Sequence, residues 1–421
     1  MTSQPPMTDF DGLSPAALFP PTRGDAEARL RQFLPRAGRQ YAATRNQDPG
    51  PERRDNVSML SPYLRHRMLT EQEVCAAVLG RHSYSQAEKF VQEVLWRTYW
   101  KGWLQLRPGV WQAFLREKAE QRERVESSSG WRTALTAAED GRTGIDCFDD
   151  WARELTATGY LHNHVRMWFA SIWIFTLELP WALGADFFLR HLLDADPASN
   201  TLGWRWVAGL QTRGKTYLAR PDNIEKYTGG RYRPSGLASE APALDGPEPP
   251  APGRLDVACS AADLPDERVV LLLHPEDSHP ESLLSESVDV RAVLTLKQTT
   301  GWPFGEKARD FVDGAMNDVG RRAESRFGLT TSDVSSAPAE AVIEQARSAG
   351  AGTVLTPFAP VGPISDALAA LERELTEAGV GLVRVRRRWD ELAWPNATRG
   401  FFPFKKKIPS LLEQTGVLGQ E

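Results

Sequence analysis

The sequence predicts a two-domain protein, an all-helical half followed by a doubly wound α/β half. Apolar residues recur at helical spacing up to about residue 235, with no convincing strand. A Pro/Ala/Gly-rich stretch, LASEAPALDGPEPPAPGR, then breaks the pattern. Beyond it, short apolar runs of the kind that form buried parallel strands alternate with helical periods. The expected division is a disordered N-terminus at 1–20, a helical domain at 21–235, a linker at 236–254 and an α/β domain at 255–421.

Taken in order, the first helix starts at Asp25, carries Leu30, Phe33 and Leu34, and ends near Pro35. Residues 46–56 form a charged loop containing Gly and Pro. Helices follow at 70–80, 85–106 and 110–127, the second bearing Phe90, Val94, Trp96, Trp100 and Trp103. ESSSGW reads as a loop. Within Gly141–Asn200, Phe148, Trp151 and Leu155, then Leu161, Val165, Trp168, Ile172, Phe175 and Leu179, keep helical spacing until Pro180 stops the second helix. The linker should be extended and semi-rigid. After it come strands at 269–273, 290–296, 353–355 and 382–385, and helices near 306–325, 339–349 and 365–378.

Composition bounds the function. With 41% hydrophobic and 25% charged residues in a chain of 421, the protein reads as soluble and globular with ample core. The apolar run 168–181 is too short to span a membrane and contains Glu178, so it reads as a core helix. MTSQPPMTDFDGLSP has neither a basic region nor an apolar core, so secretion is not expected. Cys75, Cys147 and Cys259 are too scattered for a metal or a four-cysteine cluster, and a reduced cytoplasmic protein is expected. Residues 1–240 hold 31 Lys and Arg against 28 Asp and Glu, a balance of +3; the remainder holds 19 against 27, a balance of −8. Only a clustered basic face in the first half would attract phosphates; evenly solvated arginines are the alternative.

The block from Gly141 places His162, Asn163, His164, Arg166, Asp194, Asp196 and Asn200 on an apolar, tryptophan-rich frame. A buried arginine needs an acidic group or a ligand beside it. GRTG, TGYLHNHVRM and DADPASNTLGWRW, in this order and spacing, resemble the flavin-binding domain of the cryptochrome and DNA photolyase family over roughly residues 29–210. The resemblance implies an all-helical FAD-binding domain. Family members carry an α/β antenna domain before it; here the α/β half follows, ending in VRRRWDELAWPNATRGFFPFKKKIPSLL, so the resemblance implies a swapped domain order. An unrelated α/β domain is the alternative.

Several cofactor contacts are implied by the resemblance. Tyr41 and the segment with Ser58, Leu60 and Ser61 look like the phosphate-contacting tyrosine and hydroxyl loop, and Phe90 and Arg97 join them. Arg166 and Asp194 look like the ion pair beside the isoalloxazine, Asp196 like a second flavin-contacting carboxylate, and Asn200 like the amide facing N5. No GxGxxG loop supports a Rossmann-type flavin site. Each residue also has an ordinary reading: a Ser-Pro helix cap at Ser61, a helix-surface pair from Glu93 to Arg97, and an Asx-capped turn or metal loop at DADPASN. Trp204, Trp181 and Trp131 match an electron-transfer triad, the third with altered spacing; the alternative for each is a core tryptophan.

The substrate side is implied in the same way. Glu93, Trp96, Asn163, Met167 and Trp206, with Asn200 at the flavin, match positions lining the cavity for a flipped cyclobutane pyrimidine dimer. A flipped base needs flat aromatic walls and a hydrogen bond to its carbonyls. Members repairing (6-4) lesions use two histidines four apart, where this chain has Asn163 and Met167. His164 replaces an arginine that often touches the lesion, and QTRGKTYLARPDNIEKYTGGRY departs from the usual end of the domain. The resemblance thus implies a carbon–carbon lyase: reduced FAD, excited by blue light, passes an electron to damaged DNA and recovers it after the ring splits. The alternative is a cryptochrome-type photoreceptor with a signalling partner. A nicotinamide-linked oxidoreductase lacks a visible nucleotide site. A monomer is expected, and an antenna chromophore could sit at the Thr356–Pro363 turn, which is otherwise a rigid proline turn.

Overall fold

Helices from Arg23–Phe33 to Pro221–Tyr227 form one unit, and a six-stranded parallel sheet flanked by helices forms the other. A computed structural model of the protein describes residues 13–260, 263–264, 267–297 and 304–419. The helical unit is built on Glu71–Leu79, Tyr84–Gln105, Gly109–Glu126, Asp146–Thr158, Asn163–Ser171, Trp181–His191 and Pro197–Val207. Their apolar faces meet in one tryptophan-rich core in which Trp111, Trp151, Trp168, Trp173 and Trp181 are almost wholly buried.

The sheet consists of β1 (Cys259–Ser260), β2 (Arg268–Leu273), β3 (Asp289–Thr295), β4 (Thr331–Asp333), β5 (Thr353–Pro357) and β6 (Gly381–Arg386), in the order β1-β6-β5-β2-β3-β4. The period of two along β2 sorts its side chains. Val270 and Leu272 meet helices Pro338–Ala349 and Pro363–Glu377, whereas Val269, Leu271 and Leu273 meet helix Glu306–Phe327. The fold class is therefore as expected, helical and then doubly wound α/β. The strand order reverses between β2 and β5, the place where open α/β sheets bind ligands.

Several local expectations are corrected. Residues 1–12 lie outside the described residues, but the disorder expected up to residue 20 does not hold. Pro15–Leu18 is helical under a Ser14 cap, and Phe19 is fully buried, 5.4 Å from the Tyr160 ring. ESSSGW is not a loop throughout, because helix Ser129–Glu139 begins inside it. The helix expected to run to Pro180 ends at Ser171 and continues as a single π turn, Ile172–Thr176. The chain then turns through Glu178 at φ +54° so that Pro180, which has no N–H, can precede the next helix. The linker is extended but not a free spacer: Leu244 N–H donates to Ala208, Arg107 to the Pro250 carbonyl and Gly253 N–H to Leu106, strapping it along the helical unit. Among the described residues, no helix is long and apolar enough to cross a membrane.

The two units share a buried polar seam. Arg65 makes two bonds to Glu276 at 2.6 and 2.7 Å. Arg67 reaches Asp390 at 2.7 Å, Glu71 at 3.2 Å and Asp277 at 3.5 Å. His66 accepts the Ser278 N–H at its carbonyl, and burial beside Arg65 lowers its ring to about 4, so it stays neutral. Glu276, Asp277 and Ser278 follow β2, so the carboxyl ends of the strands point into the helical unit. The Thr356–Pro363 turn is likewise taken up by protein. Thr356 is fully buried, Val361 N–H bonds Gln105, and Phe358 packs against Arg386 and Trp394.

Candidate flavin and substrate cavity

The GRTG signature works through its backbone. Gly141 sits at φ +63°, and a Cβ there would lie 2.5 Å from the Asp149 carbonyl oxygen. Asp149 in turn accepts from Thr143 N–H, the Thr143 hydroxyl and Gly144 N–H at 2.7–2.9 Å, locking the entry to helix Asp146–Thr158. That helix buries Trp151 on Trp168 and Phe148 on Phe169, which fixes helix Asn163–Ser171.

Helix Asn163–Ser171, helices Tyr84–Gln105 and Pro197–Val207, and the segment 57–61 line an open cavity of about 610 Å³. It gathers Tyr41, Ser58, Leu60, Ser61, Phe90, Arg97, Arg166, Asp194, Asp196 and Asn200, the residues that the resemblance assigns to a cofactor. Glu93, Trp96, Asn163, Met167 and Trp206, assigned to the substrate, line the same space, as does Trp204. Such a volume is in the range of sites for large ligands.

The charges of the cavity are paired across elements. Arg166 grips Asp194 with two bonds of 3.0 Å, and Arg97 lies 3.8 Å from Asp194 and 3.1 Å from Asp196. Burial alone would push Asp194 toward its neutral form, but Arg166 and Arg97 hold it below the ordinary carboxylate range. Asp196, equally buried, is held at about 2 by Lys101, Arg97 and Arg65. Its Oδ1 also caps helix Pro197–Val207 through the N–H groups of Ala198 and Ser199. DADPASN is thus an Asx-capped turn as well as a charge site, and no cluster of potential metal ligands occurs among the described residues.

Glu93 does not pair with Arg97 one turn along; it pairs with Arg45. Burial pushes the Glu93 carboxyl up, and Arg45 opposes that. The Asn200 amide N–H donates to the Ala185 carbonyl at 2.8 Å, which leaves its oxygen as the acceptor still available. His164 is tied down by a bond to the Asn46 carbonyl and stacks on Trp168 at 4.1 Å. Its burial lowers its basicity, so the ring is neutral at pH 7.

The tryptophans divide. Trp204 packs among Phe169, Trp173 and Phe188, with the Trp173 ring 6.1 Å away. Trp181 packs on Phe114 and donates to Glu117, and the Arg205 guanidinium lies 6.0 Å from its ring. Trp131 lies outside the cavity, 40% exposed beside Arg124. Three neighbours were not foreseen from the sequence: Trp173; Tyr217, 5.6 Å from Trp206 and 3.4 Å from the His164 ring nitrogen; and Phe401, stacked on Trp96 at 3.6 Å. Only their aromatic character was visible in advance, since each meets the site by tertiary contact.

The donor set fits a flavin dinucleotide. Ser58, Ser61, Tyr41 and Arg97 offer donors suited to phosphate, and the paired Arg166–Asp194 keeps a rigid polar edge for a ring system. The Ser199 hydroxyl on the cavity wall is buried and finds no hydrogen-bond partner among the described residues, so the site holds a donor in need of a ligand.

Comparison with known proteins agrees on this half of the chain. Residues 90–228 match the model of the FAD binding domain of DNA photolyase. Curated relatives named deoxyribodipyrimidine photo-lyase include one from Salmonella typhimurium, 30% identical over 51% of this chain and 44% of that protein. Another, from Thermus thermophilus, is 32% identical over 50% of this chain and 48% of that protein. The chain therefore spans less than half the length of these relatives. Among solved structures, a bacterial class III photolyase from Agrobacterium tumefaciens aligns at 27% identity, covering 53% of this chain and 46% of that one, with a TM-score of 0.39. A Synechocystis cryptochrome aligns at 24% identity over the same shares, with a TM-score of 0.43.

Proposed function

Because the helical half of this chain belongs to the cryptochrome and DNA photolyase family, we propose that it binds FAD and splits cyclobutane pyrimidine dimers in DNA under blue light. The observation that carries this reading is that Glu93, Trp96, Asn163, Met167, Asn200 and Trp206 line one cavity together with the Arg166–Asp194 pair. When bound, FAD would supply the light-driven electron. The residues of the chain hold it and receive the lesion. Tyr41, Ser58, Ser61 and Arg97 would take the phosphates, while Phe90 and Leu60 pack on the apolar portions. The Asn200 carbonyl oxygen, with its amide group fixed on Ala185, is free to accept from a proton-bearing ring nitrogen. Trp96 and Trp206 would flank the flipped bases, with Asn163 and Met167 closing the wall.

Glu93 sits among these groups, and its raised proton affinity suits it to share a proton with a pyrimidine carbonyl on which negative charge develops. Glu93→Gln should keep its flavin and its affinity for dimer-containing DNA. Repair per absorbed photon should drop about tenfold, as expected when a charge-assisted bond loses roughly 1.4 kcal/mol. Undiminished repair would remove Glu93 from the mechanism.

One observation favours a second reading, a photoreceptor without repair. His164 is neutral and anchored, so it offers no charge to a lesion phosphate. Binding of dimer-containing DNA in preference to undamaged DNA separates the two, since only the repair reading requires it. For the α/β half, the strand ends filled by Arg65, His66 and Arg67 support a bracing role behind Asp196 rather than an antenna-chromophore site. The Thr356–Pro363 turn, already packed against protein, supports the rigid-turn alternative.

A further inference from the structure

The segment that follows the last strand packs against helix Tyr84–Gln105, whose Glu93 and Trp96 line the cavity. Its seat is firm. Phe401 stacks on Trp96 at 3.6 Å with rings 12° apart, and Tyr99 packs on Phe401 and Phe404. Tyr99 donates to the Arg399 carbonyl at 2.7 Å, Arg107 donates to the Thr398 carbonyl at 2.8 Å, and Lys405 pairs with Glu88 at 3.1 Å. The groups left facing outward are of a different kind. Phe402 is 78% exposed, and Arg399, Lys406 and Lys407 are exposed beside it. The α/β half is acidic overall, yet RGFFPFKKK carries four cations and no acid, and it does so where the chain packs on Trp96 of the cavity wall.

We propose that this segment is a DNA-contacting platform beside the cavity, with Lys406 and Lys407 on backbone phosphates and Phe402 packed against a base or sugar of the strand flanking the flipped dimer. It rests on the reading of damaged DNA as the partner. Phe401 and Phe404 anchor the platform, so the backbone that carries the outward side chains is in place before DNA arrives, which lowers the ordering cost of binding. Phe402 stands out from the core that its two neighbours fill, and an aromatic face flanked by cations is the combination that holds nucleic-acid strands. The platform would replace contacts that the neutral His164 does not provide.

The test uses the full chain loaded with FAD and a labelled duplex bearing one cyclobutane thymine dimer, titrated at several salt concentrations. Lys406→Glu/Lys407→Glu should weaken binding at least tenfold and reduce the slope of log K against log salt by about two, since each phosphate contact contributes about 0.9 to the slope. Phe402→Ala should weaken binding severalfold without altering the slope, and neither variant should lose flavin. Arg347→Glu/Arg373→Glu, the same charge change on exposed residues of helices Pro338–Ala349 and Pro363–Glu377, should bind as the parent does. If the parent binds and the segment variants bind equally well, the platform is overturned while the repair reading stands. If the parent itself binds no DNA, both fall.

Discussion

Asp194→Ala should yield folded protein that no longer retains flavin. Asp194 is 3% exposed and takes two 3.0 Å bonds from Arg166, with Arg97 a further 3.8 Å away. It is the carboxylate that Arg166 grips, and it stays ionised against the cost of burial because two guanidiniums face it. Removing it leaves the Arg166 charge uncompensated on the cavity wall, facing Arg97. Truncating one partner of a buried, hydrogen-bonded charge pair at a binding site costs about 2–5 kcal/mol, which as lost ligand affinity is about thirtyfold or more. The pair lies on the cavity wall rather than among the packed apolar side chains, so far-ultraviolet circular dichroism should be unchanged while the visible flavin absorbance of the purified protein disappears. Asp194→Asn, which keeps the shape and one acceptor, should retain part of the flavin. Stoichiometric flavin in Asp194→Ala would mean that the pair is structural and the cofactor lies elsewhere.

Arg67→Met should cause the largest loss of stability. Arg67 is 2% exposed and serves Glu71, Asp277 and Asp390, while Arg387 covers Asp277 from the other side with bonds of 2.6 and 2.8 Å. Asp390 is already pushed toward its neutral form by burial, opposed chiefly by Arg67. Without the guanidinium, Asp390 and Glu71 are left buried together with only the weaker influence of Lys101 on both, at a cost of about 3–5 kcal/mol and a melting temperature lower by at least about 5 °C. Arg67→Lys should fall between the two, because one ammonium cannot reach three carboxylates in a fixed fork. The pH dependence has a definite sign. Buried carboxylates that lose their guanidinium have raised folded-state pKa values, so their neutral, tolerated form prevails at low pH and is lost as pH rises through the folded pKa. The deficit of Arg67→Met relative to the parent should therefore narrow on acidification from neutral pH. A melting temperature within about 1 °C of the parent at neutral pH would show that the seam contributes little.

What could be read in the sequence follows physical range. The α/β alternation was legible because β2, β3, β5 and β6 carry short apolar runs, buried along β2 and β5 and partly buried in β3 and β6. By contrast, β1 has two residues and β4 has three, mostly exposed, so neither leaves a pattern. The short helices Arg388–Ala393, Phe401–Lys405 and Ile408–Gln414 span too few turns for a period to show. The cavity residues could be listed in advance because they sit in local runs such as NHVRM and DADPASN. Their partners could not. Glu93 had a local candidate in Arg97, yet Arg45, 48 residues away, takes it. Phe401 reaches Trp96 from the far end of the chain, and Tyr217 reaches His164 from 53 residues away. The linker shows the same limit, since its composition predicted extension but not the carbonyls that strap it down.

The most direct test of the proposed activity uses the purified protein with its flavin photoreduced and an oligonucleotide carrying a single cyclobutane thymine dimer. Restored thymines are counted after blue light and after an equal time in darkness. Light-driven dimer splitting predicts restoration that grows with photon dose and is absent in the dark. No restoration in the light, with flavin bound and reduced, would contradict it.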